Sequence, residues 1–138
     1  MRIERVISST ARGGTPHTRL VLFAHGSADR RWRVPFEELT ANLAEHLGAD
    51  KVRLAYMEFA HPSLVDIAQE AAHDSVCLLR ILPLFLAAGG HMAEDIPLQI
   101  TAVQMTVPHV KIELLPPIGV HPRVKELFQE IACEYAWA

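Results

Sequence analysis

Cysteine is scarce in this chain: two residues in 138, Cys77 and Cys133. They lie far apart, in strand-like and helix-like contexts, which argues against a disulfide framework or a thiolate metal cage. An excess of basic charge is also missing. Thirteen Lys and Arg stand against 16 Asp and Glu, for a net charge of −3, so no nucleic-acid partner is expected. An anionic ligand must then be met by basic residues gathered locally. Nor is there an apolar run long enough to cross a bilayer, because the longest, from Val76 to Gly90, is broken by Arg80 and Pro83. The basic N-terminus is not followed by an apolar segment, so neither a signal peptide nor a membrane partner is expected, and the expected location is cytoplasmic. What the chain does have is apolar side chains. Half its residues are hydrophobic and 21% are charged, the composition of a compact domain with one core.

Residues 1 to 18, with Ser8-Ser9-Thr10 and Gly13-Gly14-Thr15-Pro16, read as a flexible polar leader. Residues 19 to 138 read as a single domain in which buried-type strands alternate with amphipathic helices. The first strand, Leu20 to Ala24, precedes a helix from about Pro35 to Leu47 whose Phe36, Leu39, Leu43 and Leu47 recur at helical spacing, with Gly48 as terminator. A second strand, about Lys51 to Phe59, leads to a helix carrying Leu64, Ile67, Ala68 and Ala71 on one face. The third strand, Val76 to Leu86, is the most apolar, as a central parallel strand should be. A helix from about Asp95 follows, with Asp95 as its cap, then a strand from Val110 to Leu115. A last helix, about Pro122 to Ala136, is expected to turn Val124, Leu127, Phe128 and Ile131 inward. Four βα units predict a doubly wound α/β lobe: a four-stranded parallel sheet, order 2-1-3-4, with helices on both faces.

Three potential metal ligands close three of these strands. His25, Glu58 and His91 stand 33 residues apart, and a parallel sheet gathers all three at its carboxyl edge, where open α/β sheets bind their ligands. Two imidazoles and a carboxylate suit a divalent transition metal. Taken singly, each has a plainer reading. His25 could pack in an ordinary loop, Glu58 could face solvent at a strand end, and His91 could cap a turn. Gly26 allows the backbone to turn beside His25, and Ser27 can donate to an anion or to a backbone group. Gly89 and Gly90 permit the close approach of a bulky ligand before His91. His61 and His121 lie in loops on the same edge and are open as auxiliary ligands.

The segments Leu22-Phe23-Ala24-His25-Gly26-Ser27, Tyr56-Met57-Glu58-Phe59-Ala60-His61-Pro62-Ser63 and Leu82 through Pro97, with the weaker Pro117-Ile118-Gly119-Val120-His121-Pro122, are similar to the short-form class II tetrapyrrole chelatases, the sirohydrochlorin cobaltochelatase family. The resemblance covers nearly the whole chain after the leader. It implies insertion of a divalent metal, Co²⁺ or alternatively Ni²⁺ or Fe²⁺, into sirohydrochlorin or a related tetrapyrrole, with the metal as substrate and no organic cofactor. It implies His25 and His91 as catalytic metal ligands that assist proton removal, with Glu58 as a third metal residue. On that reading Ser27, Arg30, Leu86, Gly89, Gly90 and Met92 contact the macrocycle, and two chains pair as a homodimer. His61 stands where the family commonly carries an acidic residue. Two other readings are open: a non-catalytic metal or tetrapyrrole carrier, which keeps the same ligands, and a phosphoryl-transfer enzyme using His25, which calls for a cluster of arginines facing the histidine and no divalent metal. The second is weakened because histidine phosphatases place Arg before His-Gly, where this chain has Ala24.

Overall fold

The computed structural model describes residues 17–87, 89 and 92–137, with Met92 through its backbone alone. Strands β1 (Thr18–Ala24), β2 (Val52–Tyr56), β3 (Leu78–Pro83) and β4 (Lys111–Leu114) form one parallel sheet in the order β2-β1-β3-β4. Helices α1 (Arg30–Leu47), α2 (Leu64–His73), α3 (Met92–Thr106) and α4 (Pro122–Ala136) follow the strands in turn, with a short 3₁₀ turn at Ile118–Val120 before the last. The chain winds first toward β2 and then back across β1 toward β3 and β4. The order therefore reverses between β1 and β3, which opens a crevice at their carboxyl ends.

One face of the sheet is sealed. Val21, Phe23, Ala55, Leu79 and Ile81 pack against Ile67, Ala68 and Ala71 of α2 and Ile96 and Val103 of α3. Phe23 and Phe85 meet edge-on, centroids 6.0 Å apart, which ties the end of β1 to the segment after β3. The opposite face, with Leu20, Leu22, Leu54 and Leu82, is covered less completely. There Arg80 and Glu113 pair across β3 and β4 at 3.4 Å while both remain part-exposed.

At the amino edge of the sheet Arg19 is almost wholly buried. Its Nε donates to the Asp50 carbonyl at 2.8 Å, and its Nη1 lies 3.2 Å from both Glu70 and Asp74. Arg53 shares Glu70 at 2.6 Å. A buried guanidinium is tolerable only when paired and hydrogen-bonded in this way.

Several boundaries differ from the sequence reading. Thr18 belongs to β1 and not to the leader, of which residues 1–16 lie outside the described residues. Helix α1 starts five residues before Pro35, capped by the Asp29 side chain on Arg31 N at 2.9 Å. Proline suits a first turn but here sits inside the helix. Asp95 is not a cap: α3 begins at Met92, with Asp95 in its first turn. Strand β3 spans only Leu78–Pro83, because Phe85 is buried by packing rather than by pairing. The last helix is placed as expected, but it buries nothing. Leu127, Phe128 and Ile131 are 50, 47 and 42% exposed, since no described element lies across their face.

Candidate functional site

His25 leaves the last residue of β1 and Glu58 follows β2 by two residues, so strand pairing brings the two loops together. Met57 N donates to the Ala24 carbonyl at 2.8 Å, and Glu58 N to the His25 carbonyl at 3.1 Å. Between them Gly26 has φ +95°, and a Cβ there would stand 2.0 Å from the Glu58 carbonyl oxygen. Only glycine allows this approach.

The side chains meet as well. His25 Nε2 lies 3.1 Å from Glu58 Oε1, with both groups nearly half-exposed. The other ring nitrogen, Nδ1, is 3.1 Å from the Gly26 carbonyl. A carbonyl can only accept, so this contact is a hydrogen bond in the forms of His25 that carry a proton on Nδ1. Nε2 and Oε1 then face each other as two electron-pair donors unless something positive lies between them, either a proton on the imidazole or a metal ion. A backbone carbonyl holding the far nitrogen of a ligating histidine is the usual second partner in metal sites. Two ligand atoms each ~2.1 Å from one ion at a right angle lie about 3.0 Å apart. The pair therefore has the spacing of adjacent ligands on one cation.

Beneath this pair is a cleft of about 310 Å³ lined by His25, Gly26, Ser27, Trp32, Phe36, Leu84 and Phe85. It occupies the reversal point between β1 and β3. Ser27 Oγ accepts from Asp29 N at 3.0 Å, which leaves the hydroxyl proton free to donate. Arg33 reaches back from α1 to donate to the Ser27 and Ala28 carbonyls at 2.8 and 3.1 Å, fixing the His25 loop. Arg31 grips Asp29 and holds that carboxyl below its usual range. Arg30, like Arg31, is exposed at the start of α1. Tyr56, buried below the loops, has a hydroxyl without a hydrogen-bond partner among the described residues. Burial pushes its pKa up, and Glu37 adds to the effect from nearby without reaching bonding geometry.

Phe59, next to Glu58, has φ +64°. The left-handed region costs a non-glycine residue about 1 kcal/mol. Its ring lies 6.3 Å from that of His25. On the far side Leu86 is exposed, and Gly119 pins its backbone: Gly119 N donates to the Phe85 carbonyl at 2.9 Å, and a Cβ on Gly119 would meet the Leu86 carbonyl at 2.0 Å. A Cβ on Gly89 would meet nothing within 4 Å, so no described neighbour requires glycine there.

Of the residues expected from sequence, the structure brings His25, Glu58 and Ser27 together, with Leu86 close behind. His91 and Gly90 lie outside the described residues, as does the Met92 side chain. Among the described residues no group of three or more His, Cys, Asp or Glu forms a metal cluster. His121 is engaged elsewhere, since its Nδ1 accepts from Arg123 N at 3.1 Å and caps α4. His61 is nearly fully exposed, 3.7 Å from Asp66. Sequence reasoning missed Trp32 and Phe59 as site residues. Trp32 and Phe36 are spaced i, i+4, a signal present in the sequence, where Phe36 reads as core.

An imidazole–carboxylate pair beside a cleft, at the strand-order reversal of a parallel sheet, defines a small α/β domain with a candidate ligand site at its carboxyl edge. The CbiX family model matches residues 19–135. A sirohydrochlorin cobaltochelatase of Sulfurisphaera tokodaii is 32% identical over 111 residues, covering 80% of this chain and 88% of that one. A solved structure described as a cobalamin (vitamin B12) biosynthesis CbiX protein, from Marinobacter aquaeolei VT8, matches with a TM-score of 0.77 at 37% identity, covering 88% of this chain and 98% of that chain. A chloroplastic sirohydrochlorin ferrochelatase of Arabidopsis thaliana is 26% identical over 102 residues, which span 74% of this chain and 45% of the plant protein. The chain belongs to the CbiX family and is a short-form class II chelatase.

Proposed function

We propose that the protein inserts a divalent metal ion into sirohydrochlorin or a closely related tetrapyrrole, with Co²⁺ as the first candidate and Ni²⁺ or Fe²⁺ as alternatives. The observation that carries this reading is the 3.1 Å contact of His25 Nε2 with Glu58 Oε1, its ring oriented by the Gly26 carbonyl. The names of the relatives support the substrate, and they include both cobalt and iron chelatases.

Insertion exchanges two pyrrole N–H protons for one dication. In the proposed mechanism Nε2 and Oε1 hold the ion at the cleft mouth, with His91 as a third ligand and the remaining positions open to the macrocycle. An incomplete shell releases its ion, whereas a closed four-ligand cage retains it. As the ion passes to the pyrrole nitrogens, the freed Nε2 and Oε1 are the nearest bases, and each accepts one proton. One dication leaves and two protons arrive, so the charge of the pair does not change. Ser27, Arg30, Leu86 and the Gly89–Gly90 loop are assigned to the macrocycle and its carboxylates, together with Met92. The working unit is proposed to be a homodimer, supported by the uncovered apolar face of α4.

The test is spectrophotometric insertion of Co²⁺ into sirohydrochlorin over many equivalents of protein, repeated with Ni²⁺ and Fe²⁺. His25→Ala should lower kcat/KM by about 100-fold, the scale of a lost proton acceptor. Glu58→Gln should raise the half-saturating metal concentration while leaving macrocycle binding unchanged. A change that stops at one equivalent identifies a carrier and rejects the enzyme.

A further inference from the structure

Three large apolar side chains stand exposed at this edge: Trp32 at 70%, Phe59 at 68% and Leu86 at 66%. Trp32 lines the cleft with His25, and Leu86 directly follows its lining residues Leu84 and Phe85. Phe59 packs beside the His25 ring, but neither burial nor backbone preference accounts for it. Its ring is not buried, and its φ of +64° is a conformation that a bulky residue rarely adopts. Glycine or asparagine would make the same turn without strain. Strain combined with an exposed aromatic, directly beside a reactive pair, points to a ligand.

We propose that Phe59 is a macrocycle-binding residue, whose ring takes the face or edge of the tetrapyrrole as it lies over the His25–Glu58 pair. The inference rests on the substrate class of the insertion reading and adds a residue that reading does not use. The cleft, about 310 Å³, is at the low end for a small-ligand site, since such sites run from about 300 to 1,000 Å³. A macrocycle centred on the metal therefore extends beyond the cleft onto its rim. Phe59 is not one of the residues lining the cleft but stands beside it after β2, with its centroid 6.3 Å from that of His25, within the distance at which aromatic pairs attract.

The test compares the wild type with Phe59→Gly and Phe59→Asn, which suit the backbone angle, and with Phe59→Tyr, which keeps a ring. Thermal midpoint, Co²⁺ affinity without macrocycle, sirohydrochlorin affinity without metal, and molecular mass are measured for each. The expected result for Gly and Asn is an unchanged or higher midpoint, unchanged cobalt affinity, and sirohydrochlorin binding about three- to tenfold weaker, restored in Phe59→Tyr. Unchanged sirohydrochlorin affinity in Phe59→Gly overturns the proposal. So does a change in mass, which would assign the ring to contact with a second copy of the chain. If the wild type binds sirohydrochlorin but turns none over, the insertion reading falls while the Phe59 comparison still decides this one. If the wild type does not bind it, both fall.

Discussion

At Gly26 the two loops of the site touch through backbone alone. The contact sets where His25 and Glu58 stand, so its loss reaches the chemistry without removing a reactive group. Gly26→Ala places a methyl group 2.0 Å from the Glu58 carbonyl and forces a strained φ. The variant should lose ~2 kcal/mol or more of stability, as overpacking at a rigid site does, measured by urea denaturation. In the fraction that remains folded, metal affinity should fall as in Glu58→Gln, because the carboxylate is carried away from the imidazole. Native stability in Gly26→Ala would mean that the loops part easily and that the 3.1 Å spacing is not held. His25 itself was legible from its position after an apolar strand. The Nδ1 contact that aims its ring was not, because it depends on a backbone angle that no residue type in the tripeptide dictates.

Among the elements, α2 shows the clearest local logic. Ser63 Oγ accepts from Asp66 N at 3.2 Å, and the Asp66 carboxylate accepts from Ser63 N at 3.0 Å, a reciprocal cap on the first turn. The Ser63 N–H, helped by the Ser63 hydroxyl and by His61, holds the Asp66 carboxyl below its ordinary 3.8. A depressed folded-state pKa contributes stability that is present above the unfolded value and lost as pH falls through the folded one. The thermal midpoint of the wild type should therefore exceed that of Asp66→Asn at pH 6 and keep most of its lead at pH 4. The two curves should converge only at lower pH. A gap that closes between pH 6 and 5 would exclude this cap as its source. Helices α2 and α4 were legible because their apolar periodicity and caps agree. Helix α1 was legible only from Pro35 onward, since Arg30, Arg31 and Arg33 surround Trp32 and mask its i, i+4 spacing to Phe36. Burial is where periodicity misled. The spacing of Leu127, Phe128 and Ile131 reveals an apolar face, but not whether this chain supplies what covers it.

On the scale of the whole molecule, that uncovered face is the main unfinished surface. An exposed helix stripe of Leu127, Phe128, Ile131 and Tyr135 is more than the scattered apolar residues of an ordinary monomer surface. If the proposed homodimer uses it, Ile131→Glu should yield single chains by light scattering at concentrations where the wild type has twice that mass, with the far-ultraviolet circular dichroism spectrum unchanged. A wild type that is already a single chain would place no partner there. A parallel sheet with a central β3 was legible from four βα units, whose crossover handedness is constrained; the order 2-1-3-4 matches the structure, but the units alone do not fix it.

The sheet has two unlike ends. Arg19, sealed among Asp50, Glu70 and Asp74, braces the strands where they begin, at the opposite end of β1 from His25. At the other end, Gly26 lets the His25 and Glu58 loops touch, Arg33 ties α1 to the His25 loop, and Gly119 holds the backbone after β3. The molecule is thus a chassis with its bracing at one end and its tooling at the other. Under the proposed function, substitution at Phe59 is expected to change macrocycle binding while the brace stays untouched.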